Sequence, residues 1–169
     1  MLKKVLILIL ILFLFHTSYA ILQLPDYPPV VQEAFKHINK RYVYATQGPK
    51  TFDCTGFTYY CYLTVYDIEL KRSAKDQGYD DTYLKVEHIS DLLPGDLVYF
   101  NTRKDNDLTD HAGIYIGNGE FIHCSSGFGR VIVSSLLKGY YYKNFSWGRR
   151  VIERRVQNGE YNDKTRTTR

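Results

Sequence analysis

Hydrophobic and polar positions divide the chain into a helical first half and a strand-rich second half. Apolar residues recur at helical spacing between residues 30 and 40, and residues 57–66 form an apolar, aromatic segment of helical length. From Leu93 onward, short apolar runs alternate with turn residues and predict strands. Residues 67–90 are polar without a clear period, which predicts a surface excursion with a short helix near residues 81–86. We therefore expect an α+β fold, with helices first and an antiparallel sheet afterwards.

The first twenty residues have the pattern of a secretory signal peptide. Two lysines precede an unbroken apolar run, Val5–Phe15, and small residues follow at Ser18–Ala20. The run is shorter than the about 20 apolar residues that a transmembrane helix needs, although a retained amphipathic anchor is an alternative. We expect residues 1–20 to be removed on export, and we expect no stable membrane insertion afterwards. The mature protein would then act in the periplasm or outside the cell.

The most informative part of the strand region is a hairpin that contains two histidines. A three-residue loop with Gly119 in the left-handed conformation would pair Ile116 with Glu120 and set the rest of the register. In that register His111 and His123 share one face of the sheet, and the apolar residues collect on the other face. A two-residue Asn-Gly turn would put the histidines on opposite faces unless a bulge intervened. The clean sorting of the apolar residues favours the first register.

The predicted second helix begins near a cysteine, Cys54, that follows a natural N-cap residue, Asp53. Unpaired backbone N–H groups and the helix dipole favour a thiolate there, so we expect the pKa of Cys54 to lie below the free value of about 8.5. Gly56 leaves space for a substrate backbone. Three cysteines in an exported protein leave at least one thiol free. We expect no disulfide, with Cys61 and Cys124 as small core residues.

Covalent acyl transfer requires a nucleophile, a histidine that acts as base and acid, and a polar group that orients this histidine. Cys54, His111 and His123 supply these groups if the second helix packs on the histidine face of the hairpin. Gly113 lies beside both histidines and is the gap through which we expect the helix to approach. Each residue alone also has an ordinary structural interpretation. Together, in this arrangement, they predict a nucleophilic acyl-transfer site.

Charge and length narrow the possible functions and the domain organisation. The net charge of +4 forms no basic stripe, and no nucleic-acid-binding motif is present, so we expect no nucleic-acid partner. After removal of the signal peptide about 150 residues remain, enough for one domain with its own core. We expect this domain to span residues 21–155. Residues 156–169 are basic and polar and predict a disordered C-terminal tail.

These residues resemble the NlpC-type cell-wall cysteine peptidases, a papain-like family of bacterial peptidoglycan hydrolases. The resemblance runs from Val31 to about Ile152 and rests on Phe52–Phe57, Leu93–Phe100, His111–Gly119, Phe121–His123 and Gly148–Val151. In this order and spacing the motifs are highly specific. The resemblance implies a papain-like α+β fold, with N-terminal helices packed on a central antiparallel sheet of about five or six strands. The catalytic cysteine of such a fold begins a helix.

The resemblance also implies a role for individual residues of this chain. Cys54 is the implied nucleophile, His111 the implied base, and His123 the residue that orients His111. Tyr42 is similar to the family's tyrosine just upstream of the nucleophile, whose hydroxyl lies at the oxyanion site beside the Cys54 N–H.

The substrate implied by the resemblance is the stem peptide of peptidoglycan, cleaved most often between D-glutamate and the diamino acid. In some members the Asp and Ser that flank the cysteine hold the free amino end of the stem peptide. This implies the same contact for Asp53 and Thr55, although Thr55 replaces the usual serine and adds a methyl group. The family chemistry uses no metal and no other cofactor.

Other functions stay open at the level of the sequence. An amidase or a transferase that acts on another amide would use the same three residues. A catalytically silent wall-binding module is a second alternative, which the intact Cys-His-His set disfavours. A structural zinc site is a third, but the paired short spacings of zinc motifs are absent from the sequence.

Overall fold

The computed structural model describes residues 27–103, 108–157 and 160–164. The helices are α1 Pro29–Phe35, α2 Cys54–Tyr66, α3 Ala74–Gly78 and α4 Gly139–Asn144, with a short 3-10 helix at Ile89–Asp91. The strands are β1 Arg41–Tyr42, β2 Thr51–Phe52, β3 Leu84–Val86, β4 Leu97–Phe100, β5 His111–Gly117, β6 Glu120–Ser125, β7 Arg130–Ser135, β8 Phe145–Arg150, β9 Glu153–Gln157 and β10 Glu160–Lys164. The predicted signal peptide lies outside the described residues. Within them, no helix has the length and apolar character that crossing a membrane would require.

A curled mixed sheet forms the centre of the fold and confirms the predicted α+β class. Within the described residues it has eight strands in the order β2-β1-β7-β6-β5-β4-β8-β3. The five longer strands, β4 to β8, are antiparallel to their neighbours, whereas β1 and β2 are parallel to each other. The predicted number of strands, about five or six, is therefore too small. The added strands β1, β2 and β3 have only two or three residues each, too few to show an alternating pattern in the sequence.

Helix α2 packs on the apolar face of the hairpin. The sequence had predicted that it packs on the histidine face, and this prediction is wrong. The first core joins side chains of α2 to those of β5 and β6, namely Phe57, Cys61, Tyr62, Ala112, Ile114, Ile122 and Cys124. The expected gap at Gly113 is filled by the sheet itself. A Cβ atom there would lie 2.6 Å from the Phe121 ring and 3.1 Å from the His123 Cβ. Since the space at Gly113 is filled by neighbouring side chains, α2 does not approach the sheet there and buries its apolar side chains against the opposite face.

The histidine face of the sheet has a second core of its own. Buried residues there include Val98, Phe100, Tyr115, Phe121 and Leu136, with the partly buried Tyr141 and Phe145 packed against them. Tyr141 belongs to α4, so this short helix and the chain around it cover the face that carries the histidines. The sheet therefore separates two cores, one below α2 and one below α4.

The β5–β6 hairpin keeps the predicted register but reaches it through a different turn. Ile114 pairs with Ile122, as predicted, whereas Glu120 pairs with Gly117 and not with Ile116. The turn thus has two residues, Asn118 and Gly119, which both have positive φ angles, 53° and 71°. Asn-Gly suits such a turn, and a bulge before it absorbs the extra residue. Because of this bulge, the histidines remain on one face of the sheet.

The segment between α2 and β4 also differs from its prediction. A five-residue helix, α3, begins after Ser73, whose hydroxyl accepts a hydrogen bond of 3.0 Å from the Asp76 N–H. The helix predicted near residues 81–86 is wrong, because Leu84–Val86 pairs with β8 at the edge of the sheet. The pairing partner lies more than sixty residues away, so the residues near Leu84 show no alternation of apolar and polar positions that would predict the strand.

The C-terminal region contains a separate two-stranded sheet. Strands β9 and β10 pair antiparallel, with Gln157 opposite Glu160. The sequence predicts a disordered tail over residues 156–169, so the strand backbone at residues 156–157 and 160–164 differs from that expectation. The rest of the predicted tail lies outside the described residues. In the sequence, Asn158-Gly159 is a strong hairpin signal that could have indicated the pairing of β9 with β10.

Candidate active site

Cys54 is the first residue of α2, where the sequence placed it. The carboxylate of Asp53 caps the helix by accepting a hydrogen bond of 2.7 Å from the Gly56 N–H. Backbone hydrogen bonds from Thr55 and from Ala112 reach the Cys54 sulfur. The thiol therefore lies at the beginning of β5, beside the residue that follows His111. The start of α2 and the start of β5 therefore meet at Cys54.

The space beside Gly56 is occupied by the chain itself. A Cβ atom at Gly56 would collide with the backbone oxygen of Thr46 and would lie 2.9 Å from the Gln47 Cα. The sequence had assigned this space to a substrate backbone. The glycine instead allows the loop before β2 to pack against the first turn of α2, which fixes the position of the nucleophile.

The environment of Cys54 favours the thiol over the thiolate. Burial raises the pKa of Cys54 to about 11, and the negative charge of Asp53 acts in the same direction. The backbone hydrogen bonds to the sulfur lower the pKa but do not offset the burial. The expectation of a pKa below the free value is therefore wrong in direction. All three cysteines, which lie in the described part of the chain, carry free thiols.

His111 and His123 form a hydrogen-bonded pair on one face of the sheet. The distance from His111 Nε2 to His123 Nδ1 is 2.8 Å, and the two rings are nearly perpendicular at 89°. His111 begins β5 and is partly buried, whereas His123 in β6 is fully buried. On the far side of the pair, His123 Nε2 lies 2.9 Å from the hydroxyl oxygen of Ser134 in β7. The sequence predicted a strand at Val131–Ser134, which the structure confirms, but it gave no signal for the contact between Ser134 and His123.

Both imidazoles are neutral at pH 7. Burial lowers the pKa of His111 to about 4, although the charge of Asp110 acts against this shift. Burial also lowers the pKa of His123 well below its ordinary value, and the neighbouring His111 adds to the effect. A neutral imidazole has a lone pair that can accept a proton. His111 thus has the protonation state of a base, and its Nε2 atom is already occupied by His123.

Aromatic rings enclose the histidine pair. The Tyr141 ring stacks on His111 at 5.8 Å and meets the edge of His123 at 4.8 Å. Phe100 lies on His111 at 5.9 Å. The Tyr141 hydroxyl forms a hydrogen bond with Ser125, and the phenol is close enough to Cys54 for the thiolate charge to raise its pKa, after the larger effect of burial. These rings exclude water from the pair, which explains the low pKa values of the imidazoles.

The remaining predicted residues lie near the thiol. Tyr42 in β1 is partly buried, and its pKa is raised by burial first and by the Cys54 charge next, so the phenol and the thiol are neighbours.

Asp53 and Thr55 bind an arginine that the sequence did not single out. Arg72 contacts both carboxylate oxygens of Asp53, one at 3.1 Å, and donates a hydrogen bond of 2.6 Å to the Thr55 hydroxyl. The Asp53 and Thr55 side chains are buried, whereas Arg72 is partly exposed. A free amino group of a substrate would therefore compete with Arg72 for the same carboxylate.

The described residues contain no group of three or more His, Cys, Asp and Glu side chains that could hold a metal ion. The site's own chemistry is that of a thiol, two neutral imidazoles and two phenols. Such a set can transfer an acyl group through sulfur, with protons carried by an imidazole.

Comparison with known proteins identifies similar chains. The NlpC/P60 family model matches residues 39–150. Murein DD-endopeptidase MepH of Escherichia coli (strain K12) is 32% identical over 123 residues, which cover 72% of this chain and 45% of the relative. Gamma-DL-glutamyl hydrolase of Bacillus subtilis (strain 168) is 37% identical over 123 residues, covering 72% of this chain and 29% of the relative.

A solved structure, NlpC2 from Trichomonas vaginalis, has a TM-score of 0.65 at 33% identity and covers 72% of this chain and 45% of its own. This chain thus spans less than half the length of each of these three proteins. The matched region includes Cys54, His111, His123 and Ser134.

Proposed function

The chain belongs to the NlpC/P60 family, and from this membership we propose that it is an exported hydrolase that cleaves an amide bond in the stem peptides of peptidoglycan. The reaction would pass through an acyl-enzyme on Cys54. The observation that carries the proposal is the His111–His123 hydrogen bond of 2.8 Å at the strand end where the Cys54 sulfur meets the Ala112 backbone. This geometry supports a nucleophile, a base and an orienting group in one place.

The first half of the proposed reaction forms a thioester. Cys54 attacks the carbonyl carbon, and His111 accepts the thiol proton at Nδ1, since its Nε2 is bonded to His123. The oxyanion is stabilised by the Cys54 N–H and the hydroxyl of Tyr42. The carbon–nitrogen bond then breaks, and His111 returns the proton to the departing amine. Because the resting thiol and imidazole are both neutral, the proton moves as the sulfur–carbon bond forms.

The second half of the reaction hydrolyses the thioester. Water attacks the same carbonyl carbon while His111 removes one of its protons. The carbon–sulfur bond breaks, and the proton passes from His111 to the sulfur, so that the thiol and the neutral imidazole are restored. His123 remains hydrogen-bonded to His111 through both halves and stabilises the imidazolium that forms twice in each cycle.

The bond and the substrate contacts are the finer part of the proposal. We assign the D-glutamyl–diamino acid bond, and the similarity to a protein named gamma-DL-glutamyl hydrolase supports this choice. Asp53 and Thr55 would contact the stem peptide once Arg72 moves aside; in the present structure they hold the start of α2. The alternatives are the bond of a DD-endopeptidase, which is the activity that MepH is named for, and an amidase or transferase reaction on another amide.

Digestion of purified, cross-linked peptidoglycan followed by mass spectrometry of the fragments tests the proposal. Cleavage after D-glutamate leaves disaccharide units that carry only a dipeptide. A DD-endopeptidase would convert dimers to monomers without shortening the stems, and an amidase would release peptides free of sugar. Cys54→Ala is the matched control and should release nothing. Unchanged peptidoglycan with the wild-type protein, under conditions in which Cys54 is intact and the protein folded, would refute the proposal.

A further inference from the structure

Ser134 lies at the end of the hydrogen-bonded chain that begins at His111. It is in β7, paired in register with Phe121 of β6, and its side chain points to the histidine face. The hydroxyl oxygen is 2.9 Å from His123 Nε2. Ser134 itself is only partly buried, whereas His123 is fully buried. The hydroxyl therefore has access to water on one side and to a buried imidazole on the other.

The direction of the hydrogen bonds in this chain decides whether His111 can act as a base. If His111 is to accept the thiol proton at Nδ1, its own hydrogen must be on Nε2 and must be donated to His123 Nδ1. The hydrogen of His123 is then on Nε2 and is donated to the Ser134 oxygen. In the reverse arrangement Ser134 donates to His123, His123 donates to His111, and the hydrogen of His111 occupies Nδ1. That tautomer has no lone pair for the thiol.

We propose that Ser134 is a positioning residue that accepts the hydrogen of His123 Nε2 and so keeps the Nδ1 lone pair of His111 free for Cys54. The proposal rests on the proposed function for its link to catalysis, but not for the hydrogen-bond direction. The partial exposure of Ser134 supports it, since the hydroxyl can donate its own hydrogen to water. No other described side chain forms a hydrogen bond with His123 Nε2.

The same direction suits the charged intermediate. When His111 accepts a proton, both of its nitrogens carry hydrogen, and the Nε2–H must still find an acceptor. His123 provides that acceptor at Nδ1 without any change in its own protonation. An acceptor that is already in place requires no reorganisation as the charge develops. In the reverse arrangement, two N–H groups would face each other across the 2.8 Å contact.

Replacement of Ser134 by alanine leaves His123 Nε2 next to a methyl group. A buried N–H without a partner costs more than a buried lone pair, so the hydrogen of His123 should move to Nδ1 and reverse the chain. We expect kcat on peptidoglycan fragments to fall about 5- to 50-fold with KM unchanged, because the active tautomer would then contain a buried N–H without a partner and would be less populated. Ser134→Thr keeps the hydroxyl and suits a strand, so it should stay within about threefold of wild type.

Nitrogen-15 NMR of labelled histidine side chains at pH 7.5 tests the hydrogen-bond direction without any substrate. We expect the hydrogen of both His111 and His123 on Nε2 in the wild type and in Ser134→Thr, and on Nδ1 in Ser134→Ala. Ser135→Ala is the matched control, because its hydroxyl accepts from the Leu137 N–H and does not contact His123. It should have the wild-type spectrum and the wild-type kcat.

Each outcome bears on one of the two proposals. A wild-type His123 with its hydrogen on Nδ1, or a Ser134→Ala protein with an unchanged spectrum, would overturn the role of Ser134 whatever the substrate is. The expected spectra together with intact peptidoglycan would leave the role of Ser134 supported and would reject the proposed function. A fall in kcat that Ser134→Thr does not restore, with unchanged spectra, would show a merely structural effect and would also overturn the positioning role.

Discussion

Alkylation of Cys54 by iodoacetamide reports the protonation state of the proposed nucleophile. The reagent is uncharged and reacts with the thiolate, so its rate at low concentration follows the thiolate fraction. Burial and the charge of Asp53 raise the pKa of Cys54 to about 11, while burial lowers that of His111 to about 4. Between these two values both groups are neutral. The resting protein therefore contains no thiolate–imidazolium pair at pH 7.

The expected rate follows from these values. With a pKa of about 11, about one Cys54 in ten thousand is a thiolate at pH 7. A free thiol with a pKa of about 8.5 has about three thiolates in a hundred. Cys54 should therefore react about 300-fold more slowly than a free cysteine at this pH, which corresponds to about 3 kcal/mol. The rate should rise about tenfold for each pH unit from 6 to 10, because each unit multiplies the thiolate fraction by ten.

Mass spectrometry of the intact protein, followed over time at each pH, gives the rate and the number of labels. Cys54→Ala is the control: Cys61 and Cys124 are fully buried, so the folded variant should take up no label. A rate that reaches a plateau between pH 5 and 8 would refute the reasoning. It would show that the helix terminus and an imidazolium outweigh burial, as the local sequence suggested.

Three further outcomes follow from the geometry. His123→Gln should keep more activity than His123→Ala in peptidoglycan digestion, because an amide oxygen can still accept from the His111 N–H. Arg72→Met should lower the free energy of unfolding in urea by about 1–3 kcal/mol, because it leaves the buried Asp53 unpaired, while the partial exposure of the pair screens the charge. Arg103→Met is the control: Arg103 is exposed and lies 3.8 Å from Asp110, so its replacement should change the free energy of unfolding by less than about 0.5 kcal/mol. Stability should be highest between about pH 6.5 and 9. Below this range the unfolded chain binds a proton at His111, whereas the folded chain does not bind it until about pH 4, so folding becomes less favourable. Above this range the unfolded chain loses protons from Cys54 and Cys124, whereas the folded chain keeps them until about pH 11 and 12, so stability falls again. Thermal denaturation across pH 4 to 11 checks this last expectation, and a midpoint that rises above pH 9 would contradict it.

Local patterns in the sequence sufficed where neighbouring residues decide the structure. The N-cap at Asp53 and the apolar run after it located the start of α2 at Cys54. The alternation of apolar residues in the hairpin identified the shared face of His111 and His123. Helix capping and strand alternation depend on residues a few positions apart, so a single sequence contains them.

Other features depend on contacts between distant parts of the chain. Arg72 reaches Asp53 across 19 positions, and Ser134 reaches His123 across 11, with no motif in between. The face on which α2 packs was predicted wrongly, because the space at Gly113 is filled by residues of the neighbouring strand. The pKa of Cys54 was predicted in the wrong direction for the same reason: a helix terminus is local, whereas burial is set by the whole fold.

The division of the interior into two cores means that the proposed nucleophile and the proposed base lie on opposite sides of the sheet, whose central strands contribute to both cores. Cys54 belongs to α2, which packs on the core of the apolar face, whereas His111 and His123 lie on the side of the second core, beneath Tyr141. A small shift of α2 against the sheet would separate the sulfur from the imidazole while the secondary structure remains intact. On heating, we therefore expect catalytic turnover to be lost several degrees below the temperature at which circular dichroism shows loss of secondary structure.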